Sequence, residues 1–354
     1  MKEKTTLEGI FPALITPFKK DDEIDEEKLK ELLDFLIEKG VHGVVPVGTT
    51  GEFMYMTEKE KRKVYEIVVD HVNGKIPVIA GTGASGTEEA IKLAKIAEDI
   101  GVDAILVVSP FYLKPSDMGV YQHYHTIANE INIPIVLYNI PQCTGYYISG
   151  EVIEDLAEID NIVALKDSSG NLAYMLEIIN RVNGKIKIFV GYDEVVMPAL
   201  TSGANGAILA SANVIPEIWV KIYEKIKNGE IQEAAKLQKS IQKLIRIITR
   251  KGGILAVKKA VEMRGIKVRT ARKPLKLGGS LTLENMEEIK LELEKLGLIS
   301  REEGKAKIKH RTLEESFIDL GIDFEAIKKE KLEISREEEG ENINKITVTI
   351  IRGR

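Results

Sequence analysis

Eight short apolar runs, each followed by an amphipathic stretch, restrict this chain to very few architectures. They begin near Ile10, Val41, Ile76, Val102, Ile133, Ile162, Ile186 and Gly206. Texts such as VDAILVVSP and IPIVLYNI are nearly continuous in Val, Ile and Ala, as strands buried on both faces must be. The stretches between them carry a helical stripe. In DEEKLKELLDFLIEKG, Leu29, Leu32, Leu33 and Leu36 share one face and Gly40 closes the end. In SGTEEAIKLAKIAEDIG, Thr87 is placed to cap and Gly101 to stop the helix. Eight strands alternating with helices predict an α/β fold, a (β/α)8 TIM barrel. An open parallel sheet is the alternative if a strand is miscounted.

After Pro216 the strand signal ends and helical texts take over to residue 300, among them PEIWVKIYEKIKNG, ILAVKKAVEMRG and LENMEEIKLELEKLGL. We therefore divide the chain into a catalytic barrel over 1–225, a helical C-terminal appendage over 226–300 and a charged extension over 301–354. Of the last 54 residues 25 are charged, against 80 in the preceding 300. The extension holds one helix-like text, TLEESFIDLGIDFEAIKKE, and ends in an alternating INKITVTIIRGR that suits a strand or a mobile tail.

Composition excludes several functions. A net charge of -5 argues against a general nucleic-acid binder, and one cysteine excludes an internal disulfide framework and a cysteine-built metal site. No apolar run approaches the roughly 20 residues of a membrane span, and the N-terminus lacks a secretory apolar core. The five histidines form no metal-like triad, so no metal is assigned. These features describe a cytoplasmic protein, and the wealth of Lys, Glu and Ile suggests a thermophile.

In such a barrel the chemistry sits at the C-terminal ends of the strands. The second run ends in GTTGE, Gly48 to Glu52, a turn whose backbone N–H groups suit a small anion or serve only to turn the chain. It lacks the spacing and lysine of a nucleotide P-loop. The fourth run leads to Tyr112, and the fifth ends at Tyr138, by default a packing residue. In the sixth, Lys166 follows four apolar residues, where charge is least expected. It is either a snorkelling lysine paired with Asp167 or a Schiff-base lysine. The second role needs a free amine, which a desolvated barrel mouth favours. Adjacency to Asp167 does not oppose it, because neighbours on a strand face opposite ways. The seventh run leads to Gly191 and the eighth to Ser211 and Asn213.

Taken in order, PALITPF, GTTGE, GTGA, SPFY, YNIP, LKDSSGN and GAILASANV resemble the dihydrodipicolinate synthase / N-acetylneuraminate lyase family over residues of roughly 7–300. The resemblance implies a barrel with a C-terminal helical domain, assembled as a homo-oligomer, a dimer of dimers. It implies no cofactor beyond a covalent lysine–pyruvate imine formed at Lys166. It makes Tyr138 the proton shuttle and Thr49 the link from Tyr138 to Tyr112, which a neighbouring subunit donates. Gly48, Thr49 and Thr50 would hold the pyruvate carboxylate, with Gly191 and Ile208 lining the pocket. Phe53, Glu58, Lys61 and Ser85 stand where lysine-regulated members carry small, imidazole and amide side chains, so that feedback site looks absent.

One departure bears on the substrate. Where dihydrodipicolinate synthases place an arginine two residues past the proline, this chain has Cys143, which makes no bidentate pair with a carboxylate. Cys143 and Gln142 are then expected to face the aldehyde. The leading expectation is a pyruvate-dependent lyase making or cleaving 2-keto-3-deoxy sugar acids. The alternative is a 4-hydroxy-tetrahydrodipicolinate synthase joining pyruvate to aspartate semialdehyde, with another arginine replacing the missing one. A third reading, of another class, is a non-catalytic keto-acid sensor.

Overall fold

The computed structural model describes residues 7–269, 271–275 and 281–300, with the backbone of 331–339 and 342–351. Seven parallel strands form one curled sheet: β1 (Gly9–Pro12), β2 (Ile79–Gly81), β3 (Ala104–Val108), β4 (Ile135–Asn139), β5 (Ile162–Asp167), β6 (Lys187–Val190) and β7 (Gly206–Leu209). Their order is β1-β7-β6-β5-β4-β3-β2, so β1 and β2 are the two edges. The eighth expected strand lies between them as two parallel bridges, Ala13 with Val45 and Val44 with Val78. Val45 exchanges bonds with β1 through Val45 N–H to Pro12 O at 3.0 Å and Leu14 N–H to Val45 O at 2.9 Å. On the other side Ile79 N–H donates to Val44 O at 3.0 Å and Gly81 N–H to Pro46 O at 2.9 Å. The barrel closes, but a regular strand cannot form there. Pro46 has no N–H to give, and Val47 turns into the left-handed region at φ 58. Gly81 accommodates the detour, since a Cβ on it would meet the Val47 carbonyl oxygen at 2.2 Å.

The two faces of each strand separate two cores. Ala104, Leu106 and Val108 of β3 point into the barrel with Val136 of β4, Ala164 of β5, Phe189 and Ile208. Ile105, Val107, Ile135, Leu137 and Leu165 point outward and pack under the helices. Helix Glu26–Glu38 buries Leu29, Leu32, Leu33 and Leu36 as expected, capped at its start by the Asp25 carboxylate. Helix Thr87–Ile100 stops at Gly101, but Thr87 is its first residue rather than its cap; its hydroxyl contacts His123 Nδ1 at 2.9 Å. The outer core continues without a break into the appendage, through Ala234, Ile241, Leu244, Ile245, Ala256 and Val257.

Two compact units result, residues 1–301 and 302–354. In the second, β8 (Lys331–Glu339) and β9 (Asn342–Ile351) pair antiparallel, so the alternating end of the chain is a strand joined to its own neighbour. The helix-like text of 312–330 lies outside the described residues. Among those described, no helix is long and apolar enough to cross a membrane.

Candidate active site

Strand parity places the two side chains that matter most. Tyr138 follows Val136 by two residues and Lys166 follows Ala164 by two, so both point into the barrel at its C-terminal end. They are partners in register across β4 and β5. Lys166 is 4% exposed, and its Nζ lies 4.2 Å from the centre of the Tyr138 ring. The outward neighbours lock this pair. Asn139 Nδ2 donates to Asp167 Oδ1 at 2.8 Å, the Ser169 hydroxyl donates to Asp167 Oδ2 at 2.9 Å, and Ile148 N–H donates to Asn139 Oδ1 at 3.1 Å. Burial pushes the Asp167 carboxyl up, against the pull of these donors. Asp167 is therefore engaged behind the barrel wall, and the Lys166–Asp167 pair that would make Lys166 structural does not form.

Above this pair opens a cavity of about 270 Å³ whose wall includes Thr49, Thr50, Tyr138, Gln142, Lys166, Gly191 and Ile208. Gly191 is required beside the lysine, because a Cβ there would meet Ser168 Oγ at 2.1 Å and Lys166 Cε at 2.8 Å. The GTTGE turn is tight: Gly51 N–H donates to Gly48 O at 3.0 Å and Glu52 N–H to Thr49 O at 3.1 Å. Among the described residues no protein acceptor takes the N–H of Thr49 or Thr50. Gly48 is buried under the turn and does not line the cavity.

Two expected residues lie elsewhere. Tyr112 is 93% exposed, held outward by a left-handed backbone at φ 77, and does not line the cavity. Cys143 is exposed and also absent from the wall, while Gln142 lines it and donates to Ser168 O at 2.9 Å and Ser169 O at 3.0 Å. Desolvation pushes the Cys143 thiol up, opposed by the Lys166 charge.

Other wall residues escaped the sequence reading. Asp193, buried after β6, accepts from the Ser211 hydroxyl, which itself accepts from Trp219 Nε1–H at 2.8 Å. Burial pushes the Asp193 carboxyl up, and Ser211 and the Lys166 charge pull it down. A charge three residues past a strand was the available signal. The opposite wall comes from the appendage, through Ile248, Thr249, Arg250, Gly253, Ile254 and Val257. Here the helix Ile231–Arg246 widens into a π-helical stretch, Ile247–Lys251, before the helix Gly253–Met263 begins.

Glu52, the last residue of the GTTGE turn, is fully buried with a left-handed backbone. Its Oε1 accepts from Lys258 Nζ at 2.5 Å and its Oε2 from Arg272 N–H at 2.8 Å. Lys258 is 1% exposed at its side chain, and burial pushes its ammonium down from the usual lysine range against the pull of Glu52. Lys61 is also buried, with its Nζ 5.6 Å from the Phe53 ring centre, so two of the four residues that replace the side chains of lysine-regulated members face each other.

Comparison with known proteins bears on this geometry. Residues 6–296 match the dihydrodipicolinate synthetase family. The chain is 43% identical over 295 residues to the 4-hydroxy-tetrahydrodipicolinate synthase of Methanopyrus kandleri, covering 83% of this chain and 97% of that one. It superposes with a TM-score of 0.79 on the dihydrodipicolinate synthase of Aquifex aeolicus, at 35% identity and over 83% and 100% of the two chains. The chloride-inhibited dihydrodipicolinate synthase of Acinetobacter baumannii, solved with pyruvate, gives the same TM-score at 36% identity over 83% and 100%. The barrel expectation is borne out. The names of these relatives favour the synthase alternative over the sugar-acid aldolase reading, and a non-catalytic sensor falls away. The chain belongs to the dihydrodipicolinate synthetase family, whose members are lyases working through a covalent lysine–pyruvate imine without a separate cofactor.

Proposed function

We propose that this chain is a 4-hydroxy-tetrahydrodipicolinate synthase, condensing pyruvate with aspartate semialdehyde. The observation that carries the chemistry is the buried Lys166 amine set 4.2 Å from the Tyr138 ring at the mouth of the barrel. The choice of aldehyde rests on kinship with the synthase that is 43% identical.

Each step draws on a residue of the wall. The Lys166 amine attacks the keto carbon of pyruvate, and water leaves as the imine forms. The protonated imine withdraws electrons, so the pyruvate methyl gives up a proton and becomes a nucleophilic enamine. Tyr138, in register beside the lysine, carries these protons. Thr49 and Thr50, with their unclaimed N–H groups and hydroxyls, hold the pyruvate carboxylate. The enamine carbon attacks the aldehyde, whose oxygen takes a proton. The substrate's own amine then displaces Lys166 from the imine carbon, closing the ring and freeing the lysine.

The assembly is a homo-oligomer in which Tyr112 reaches the site of a second copy. What supports this is an outward-held Tyr112 beside Leu113, 78% exposed, with Met118, 66% exposed, nearby in the chain. Light scattering on wild type and on Tyr112→Ala tests it, and a monomeric, fully active wild type refutes it.

Cys143 favours a second reading, the sugar-acid aldolase. Treatment with pyruvate and borohydride followed by mass spectrometry tests the shared chemistry, with an adduct expected at Lys166. Turnover of aspartate semialdehyde against glyceraldehyde separates the two readings. Preference for glyceraldehyde overturns the synthase.

A further inference from the structure

The geometry points to Arg250 as the residue that receives the carboxylate of the acidic second substrate. Among the described residues of the cavity wall only Lys166 and Arg250 are cationic. Lys166 lies on the floor and is consumed by the imine in the proposed reaction, on which this inference rests. Arg250 is then the remaining positive group of the wall available to the carboxylate of that aldehyde, and it enters from the appendage.

Its setting holds it ready. The guanidinium lies 5.6 Å from the ring centre of Tyr192, another wall residue, which fixes the plane of the fork without occupying its donors. Its side chain is 52% exposed, so the fork faces water and the cavity rather than packed protein. Its Nη2 pairs with Glu194 Oε2, and among the described residues its Nε and Nη1 take no protein acceptor. Glu194 Oε1 is already taken by Arg246 Nε at 2.8 Å and by Gln242 Nε2 at 3.1 Å. Two guanidiniums thus share one carboxylate, leaving the trio with one net positive charge at the mouth. Arg250 sits in the π-helical stretch Ile247–Lys251, the kind of local widening that sets a side chain off a helix at functional sites. Cys143, at the position the sequence pattern marked for an arginine, does not line the cavity.

The test is Arg250→Gln and Arg250→Lys, with the pyruvate–borohydride adduct at Lys166 as the measure of an intact floor. We expect unchanged adduct yield and pyruvate KM in both variants. For aspartate semialdehyde, KM should rise roughly 10- to 100-fold in Arg250→Gln, with partial recovery in Arg250→Lys. Turnover of a neutral aldehyde, propionaldehyde, should not change. Homoserine, the unreactive alcohol of the same substrate, should bind the pyruvate-treated protein more weakly in Arg250→Gln by a similar factor, which reads the contact without turnover. An unchanged KM and unchanged homoserine affinity overturn the role of Arg250 alone. A missing adduct in wild type overturns the proposed chemistry, and homoserine affinity then still decides the fate of Arg250.

Discussion

The cavity has a floor and a roof, and they are built on different principles. The floor is strand: Tyr138 and Lys166 are buried, in register and fixed by hydrogen bonds behind the wall. The roof is an interrupted helix: Arg250 and its neighbours come from the appendage, and the Arg250 side chain stands half in water. Strand parity cannot slip by one residue without turning Lys166 out of the barrel, so the floor is suited to chemistry that must not vary. A helix end that widens and then restarts at Gly253 tolerates change of side chain, so the roof is suited to selecting what reacts with the enamine.

Perturbing each part should break the comparison in its own way. Lys166→Ala should abolish the borohydride-trapped adduct and lower kcat/KM by about 10^4-fold or more, measured in the coupled assay. Residual trapping elsewhere would deny the floor its role. Tyr138→Phe should keep the adduct but lower kcat roughly 10^2- to 10^4-fold, as for loss of a proton carrier. An unchanged kcat would leave Tyr138 a packing residue.

The next test addresses the joint between the two. Lys258→Ala leaves the Glu52 carboxylate buried without its ammonium and should cost about 3–5 kcal/mol, read from the urea midpoint. Lys258→Met combined with Glu52→Gln should recover much of that loss. A loss as large in the double variant would mean that packing, not charge, makes the joint.

The smallest effect expected is on pH. Glu60 is drawn down to about 2, first by its hydrogen bond to the Arg272 guanidinium, which also donates from Nη1 to Tyr55 O at 2.9 Å. The unfolded chain holds this carboxyl near 4.5, so between these values it binds more protons than the folded chain. The contribution is complete above pH 4.5 and is lost as pH falls toward 2. Glu60→Gln should flatten acid denaturation in that window, by little, since the pair is partly exposed. Equal slopes would show that the strap from Arg272 carries no charge-linked stability.

The floor was legible in sequence because its signal is local. A lysine after four apolar residues has one place to go once the strands are counted, and parity does the rest. The roof was not legible, since the approach of residues 248–257 to the strand ends depends on how the appendage packs on the barrel. The text TRKGG marks an interrupted helix but not what it faces. Val41–Gly48 reads as a strand by apolarity, yet Pro46 and the positive φ of Val47 leave only bridges. The role of Glu52 is hidden for the same reason as the roof: its partners Lys258 and Arg272 are more than 200 residues away along the chain.

The Glu52–Lys258 pair has a consequence for anyone who would transplant parts of this molecule. Glu52 ends the same turn that carries Thr49 and Thr50, and Lys258 belongs to the helix that supplies Ile254 and Val257 to the roof. An appendage taken from a related barrel will seat only if it brings a cation to that spot. Cutting the chain between barrel and appendage would strand a carboxylate in the dark beneath the turn. The two parts therefore exchange only as one piece, and if Arg250 receives the aldehyde as proposed, acceptor preference is better redesigned by point changes in the roof than by exchanging it whole.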